Sequence, residues 1–218
     1  MDTRARSLSF FTHNNITSIT NTREFSEFYG IMIGGETLYH SRNCRYFFSI
    51  VEGAPEYGSY IVDLVRTLIG REPRLKFRSK AYRIEFKSKR LFNVFTYLGF
   101  PVGRKSTIIS ISSEILQSKY INWVIRGIFD TDGTVFLSRK PGIEEYPTIE
   151  ITSKSLILLN QVKHILEKQY NIDSRIRKSD KAYKLVIYGR NQIVKWVKFI
   201  NSSHKRKSWL LARVIRRS

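Results

Sequence analysis

Gly127-Ile128-Phe129-Asp130-Thr131-Asp132-Gly133 closes an apolar run that begins near Tyr120 and has the length of a helix. A related stretch, Gly30-Ile31-Met32-Ile33-Gly34-Gly35-Glu36, closes an earlier run from about Glu24. Small residues recur four apart in both, Gly30 with Gly34 and Gly127 with Thr131. That spacing puts them on one helix face, where missing side chains let two backbones come close. Helices paired there would end side by side. Helix C-termini carry partial negative charge and favour cations. Asp132 just beyond offers the kind of oxygen ligand that Mg²⁺ takes, an ion that uses one or two carboxylates with water and phosphate. A single Asp-Gly after a helix is an ordinary turn. It is the repetition that gives this one weight.

The order of elements around the two stretches repeats as well. After the first come short strands near Thr37–His40 and Arg45–Val51, then a helix from Pro55 that stops at Gly70. Strands over Pro73–Arg78 and Tyr82–Lys87 flank a turn at Ser79–Lys80, and a helix runs from Lys89 to Leu98. After the second come strands near Val135–Ser138 and Thr148–Thr152, a helix over Leu156–Tyr170, strands over Ser174–Lys178 and Tyr183–Tyr188, and a helix over Asn191–Ile200. A basic helical tail covers Ser208–Arg217. Letters recur too. Lys80-Ala81-Tyr82 returns as Lys181-Ala182-Tyr183, Arg74 as Arg175, and Arg104-Lys105-Ser106 as Arg206-Lys207-Ser208. Two copies are too few for a solenoid, so a pseudo-twofold pair is expected. The expectation is an α+β fold of two αββαββα units packed through the motif helices. A tail covers 1–22, the first unit 23–106 and the second 107–218.

The 218 residues carry 38 Lys and Arg against 18 Asp and Glu, a net charge of +20. With 42% hydrophobic residues the chain can build a core, which excludes a mostly disordered protein. No apolar run has the length of a membrane span. The single cysteine, Cys44, excludes an internal disulfide and a Cys-based zinc site. An intracellular setting follows, cytoplasmic or nucleoid. The Arg-containing, acid-poor N-terminal segment leaves an organellar address open. Strands Arg74-Leu75-Lys76-Phe77-Arg78 and Tyr82-Arg83-Ile84-Glu85-Phe86-Lys87 alternate basic and apolar, so one sheet face is cationic. The second unit offers Arg175, Arg177, Lys178 and Lys184, and the hairpin ends add Arg42, Arg45, Arg139 and Lys140. A solvated charged surface is the ordinary explanation. The one-sided sign, present in both units, favours a nucleic-acid face, and a two-stranded ribbon fits the major groove.

Taken together, the two motifs and the element order resemble the LAGLIDADG homing endonucleases in their single-chain, two-motif form. Gly127–Gly133 matches that motif closely and Gly30–Glu36 is a degenerate copy. The resemblance covers about residues 24–210. It implies two antiparallel sheets forming a saddle over double-stranded DNA. It also implies acids at the motif ends that bind Mg²⁺, with Mn²⁺ as substitute, and metal-assisted cutting of both strands by a monomer. Asp132 matches the second metal acid, and Asp130 takes a structural role. In the first motif Gly35 stands where the acid belongs. Glu36, one residue on, either reaches back to the metal or is a surface acid. The polar residue and lysine that follow the hairpin are Ser153 and Lys154 in the second unit. The first unit has Val51-Glu52-Gly53 and no lysine. Lys105 and Lys207 are family-like basic residues that would stabilise charge on the phosphate. The main alternative keeps the fold without cleavage, as an intron RNA maturase or a decayed endonuclease. An unrelated basic RNA-binding protein is the third reading.

Overall fold

The computed structural model describes residues 18–35, 37–40, 45–103 and 107–216, without the side chains of Lys140 and Glu144. The assignments made above to residues 1–17, Glu36, Arg42 and Lys105, and to the Lys140 side chain, lie outside that set.

Helix α1 (Arg23–Gly34) starts where Thr22 Oγ1 accepts from Phe25 N at 3.2 Å. This cap satisfies one of the helix's orphan donors. Strands β1 (Thr37–Tyr39) and β2 (Phe47–Glu52) follow. Helix α2 (Pro55–Ile69) has proline in its first turn, and Gly70 ends it in the left-handed region at φ 69°. Strands β3 (Arg74–Arg78) and β4 (Ala81–Lys87) then form a hairpin. Its turn residues Ser79 and Lys80 have φ of 54° and 62°, the primed geometry that two-residue hairpins favour. Helix α3 (Lys89–Tyr97) closes the first unit.

The second unit contains a short helix that the sequence reading did not include, α4 (Ser113–Leu116), before the motif helix α5 (Ile121–Asp132). Strands β5 (Gly133–Lys140) and β6 (Ile143–Ser153) are longer than their expected spans. Hydrophobic alternation marks only their buried middle, whereas the ladder continues to the loop. Helix α6 (Leu156–Tyr170), strands β7 (Arg175–Ser179) and β8 (Ala182–Tyr188), and helices α7 (Arg190–Phe199) and α8 (Lys205–Arg216) complete the chain.

The sheets are antiparallel with matching orders, β1-β2-β4-β3 and β5-β6-β8-β7. The first unit's core is aromatic, built on Phe25, Phe28, Tyr29, Phe48, Phe86 and Phe95. The second is mainly aliphatic around Trp196 and Phe129, whose ring centroids lie 5.0 Å apart. One detail departs from expectation. Ile19 is buried and Thr22 caps α1, so the last residues of the proposed tail belong to the fold. The basic tail helix α8 docks through Leu211 and Val214 and leaves Trp209 61% exposed. Among the described residues no helix is long and apolar enough to cross a membrane.

Candidate active site and nucleic-acid interface

The motif helices α1 and α5 pack directly on each other. A Cβ on Gly30 would stand 2.1 Å from the carbonyl oxygen of Val124, and one on Gly127 would stand 2.3 Å from that of Glu27. The spacing that relates Gly30 to Gly127 also relates Glu27 to Val124, so the two contacts are pseudo-twofold copies of each other. One turn on, Gly34 faces Thr131, where a Cβ would lie 1.8 Å from Oγ1. Only residues without a side chain permit this approach, and it brings both helices to an end together.

Asp132, the last residue of α5, lines a cleft of about 390 Å³ with Gly34, Gly35, Thr131, Thr37, Tyr39, Ser49, Val51, Glu52 and Arg83. Elements of both units therefore build the cleft. Gly35 itself is an extended residue that contributes no side chain. Among the described residues no three His, Cys, Asp or Glu are placed to hold a metal together. The donor set still suits Mg²⁺, which draws most of its ligands from water and substrate phosphates. Two helix C-termini add favourable potential for a cation.

Beneath the cleft lies a buried polar knot that the sequence did not reveal. Asp130 is 2% exposed and accepts from Ser202 Oγ and, at 2.7 Å, from Ser203 N. Glu27, 1% exposed, accepts from Ser203 Oγ and Tyr60 Oη, both at 2.5 Å. The two acids tie α1 and α5 to the segment before α8. The structural role read for Asp130 is thus visible, while the Glu27 half lies at a position where the repeat has Val124. Lys207 Nζ donates to the carbonyls of Phe129 and Asp130 at 2.8 and 2.7 Å. It neutralises the C-terminus of α5, within the fields of Asp130, Glu52 and Asp132. Burial lowers its pKa to about 8, and those three carboxylates oppose the fall.

Burial pushes the Asp130 carboxyl up to about 7, against the hydrogen bonds from Ser202 and Ser203. Because the folded value lies above the unfolded one, the folded chain holds a proton that the unfolded chain releases between about pH 4 and 7. This stabilisation is complete at low pH and is lost as pH rises through 7. Asp130→Asn removes the titration and can keep both contacts, with its Oδ1 accepting from Ser203 N and its Nδ2 donating to Ser202 Oγ. Thermal melts should show a shallower fall in stability across that window, by an amount on the order of a few kcal/mol. The slope should not vanish, since burial raises Glu27 in the same direction.

The strand registers sort the cations by face. Ile84 pairs with both Ile50 and Leu75 on the helix side. Arg74, Lys76, Arg78, Arg83 and Lys87 therefore share the opposite side, all exposed. In the second sheet Arg175, Arg177 and Lys184 share the corresponding side. Lys178 does not: it pairs with Tyr183 in the helix-side register, so strand alternation removes it from the row. The row is also less uniformly cationic than its sequence. Lys76 Nζ meets Glu85 at 2.6 Å. Glu150, 5% exposed, holds both Arg177 and Lys184, the latter at 2.9 Å. Arg45 and Arg139 are exposed at the hairpin ends, and Lys154 is exposed just past β6.

The family described as LAGLIDADG-like domain matches residues 119–201. No curated protein sequence matches the chain. Solved structures do. A set of mesophilic variants of the homing endonuclease I-DmoI aligns at 18% identity, covering 87% of this chain and 94% of that one, with a TM-score of 0.62. The same endonuclease has been solved in complex with DNA and Mn. The homing endonuclease I-WcaI, bound to its DNA recognition sequence, aligns at 12% identity over 93% of this chain and 96% of its own, TM-score 0.62. The N-terminal LAGLIDADG domain of WhiA aligns at 15% identity over 90% and 97%, TM-score 0.55.

Proposed function

We propose, for a chain that carries a LAGLIDADG-like domain and the two-unit fold of single-chain homing endonucleases, that it is a site-specific double-stranded DNA endonuclease dependent on a divalent metal. The observation that carries this reading is the helix crossing. It delivers Asp132 to a cleft built from both units, beside two sheets whose open faces carry rows of arginine and lysine.

In this reading the sheets position the duplex, with phosphate contacts setting register and base-edge contacts setting sequence. Asp132 holds Mg²⁺, or Mn²⁺, which accepts the same oxygen ligands. When bound, the ion supplies Lewis-acid stabilisation of the phosphoryl oxygens. Arg83, in the wall of the cleft, pairs with a phosphate oxygen. Lys207 holds the helix end that presents Asp132, and Lys154 serves the phosphate from the end of β6. One chain supplies both halves, so the protein acts as a monomer. Binding should weaken steeply with salt through counterion release.

A non-cleaving binder of DNA or intron RNA is the second reading, favoured by Gly35 and Gly53, which carry neither acid nor base. One experiment separates the two. Random-sequence duplexes are captured in Ca²⁺, Mg²⁺ is added, and ends are mapped on both strands. Paired staggered ends support the endonuclease, and ends on one strand support a nickase. Specific capture with no ends in Mg²⁺ or Mn²⁺ would leave recognition alone.

A further inference from the structure

We infer that Glu52 supplies the first unit's carboxylate to the metal-binding cleft, in place of the acid that Gly35 lacks. The inference rests on the endonuclease reading above and deepens its chemistry. Its starting point is register. Glu52 pairs with Tyr82 at the end of β2, and Ser153 pairs with Tyr183 at the end of β6. Tyr82 and Tyr183 are the equivalent tyrosines of the repeated Lys-Ala-Tyr triplet, so Glu52 and Ser153 occupy the same place in the two units.

The local task at this place is a turn. Ser153 Oγ accepts from Ser155 N at 3.1 Å, and Glu52 Oε1 accepts from Ala54 N at 2.7 Å. Both bonds span two residues and lead into the next helix. Serine therefore suffices for the turn, and a glutamate brings length and charge that the turn does not use. That charge sits in the wall of the cleft that contains Asp132. It also acts on Lys207, the lysine bonded to the end of α5, as Asp132 does. Glu52 borders a neighbouring cleft with Lys205 and Arg206, yet among the described residues it forms no ion pair with either. A carboxylate from β2 and one from α5 thus approach one cleft from the two units. This donor set fits a hard divalent cation completed by phosphate and water.

Glu52→Ser tests the inference without disturbing the turn, since Ser153 already makes it in the other unit. The wild type, Glu52→Ser and Asp132→Asn are each mixed with a duplex selected by the protein from a random pool. Bound Mn²⁺ is counted by electron paramagnetic resonance, and each strand's cleavage is timed separately. Glu52→Ser is expected to weaken one Mn²⁺ at least tenfold and to slow cutting of one strand at least tenfold. Its melting temperature and metal-free duplex affinity should be those of the wild type. Unchanged Mn²⁺ binding in Glu52→Ser, with loss in Asp132→Asn, would overturn the role of Glu52 and leave the endonuclease reading standing. Absence of bound Mn²⁺ and of cleavage in all three proteins would overturn both.

Discussion

Asp132→Asn should reduce metal-dependent cleavage of a bound duplex by roughly a thousandfold while leaving the fold and duplex binding in place. The size follows from what the carboxylate does. A Lewis-acidic ion is worth several kcal/mol of transition-state stabilisation, and each ~1.4 kcal/mol is a factor of ten in rate. Losing one ion therefore costs about three decades. Asparagine keeps the shape of the side chain and an oxygen, but not the charge that holds the cation. The stability effect should run the other way. Asp132 ends α5 beside the end of α1, where two helix dipoles already place negative potential. Removing a negative charge from a helix C-terminus is worth about 0.3–1 kcal/mol in favour of folding. The melting temperature of the metal-free variant should stay level or rise. A variant that cuts at the wild-type rate would show that Asp132 is not the ligand. One that melts earlier would show that its charge supports the helix crossing.

How much of this was legible beforehand depended on whether the signal was local. Four-residue spacing of small residues marked the crossing of α1 and α5, because steric exclusion at a helix contact leaves a mark in the letters themselves. Alternation along β3, β4, β7 and β8 identified strands and mostly identified faces. It also removes one residue from the expected cationic row: Arg177-Lys178 is a run of like charge, and alternation allows only one of the two on the row. Ion pairing was beyond reach. Glu150 lies more than 25 residues from Arg177 in the chain, and only the β6-β8-β7 order brings it beneath that side chain and Lys184. The knot of Glu27, Asp130 and Ser203 was hidden for the same reason. Ser203 meets Glu27 across 176 residues. Glu27 also breaks the repeat, so internal comparison with Val124 pointed away from it. Glu52 was in view, but in Val51-Glu52-Gly53 the letters show only a missing lysine; strand register is what aligns Glu52 with Ser153.

Gly127→Ala is expected to be among the most destabilising single substitutions in the protein, and the other motif glycines provide its controls. At Gly127 an added Cβ meets backbone atoms, Glu27 O at 2.3 Å and Ile31 N at 2.7 Å. A backbone obstacle cannot rotate away, so α1 and α5 must separate along their contact. Overpacking of this kind costs about 1–3 kcal/mol and more when the backbone is fixed. The gain of about 1 kcal/mol from alanine's helix propensity opposes it only in part. A net loss of about 2 kcal/mol, from the upper end of that range, would lower the melting temperature by roughly 4–8 °C in a chain of this size. Gly34→Ala meets the Thr131 side chain instead, at 1.8 Å from Oγ1. Rotating Thr131 moves Oγ1 aside at the expense of its bonds to Gly127 O and Ile128 O, but its Cβ, 2.6 Å from the added atom, stays, so the helices must still shift. None of the three nearest atoms is backbone, so the loss should be smaller than at Gly127. Gly35→Ala meets nothing within 4 Å and has an extended backbone that any residue adopts. It should melt with the wild type. The order Gly127 above Gly34 above Gly35, read from three thermal melts, is the signature of two helices held in backbone contact. Equal melting temperatures for all three variants would mean that the helices can part freely, and then the placement of Asp132 against the first unit would lose its structural basis.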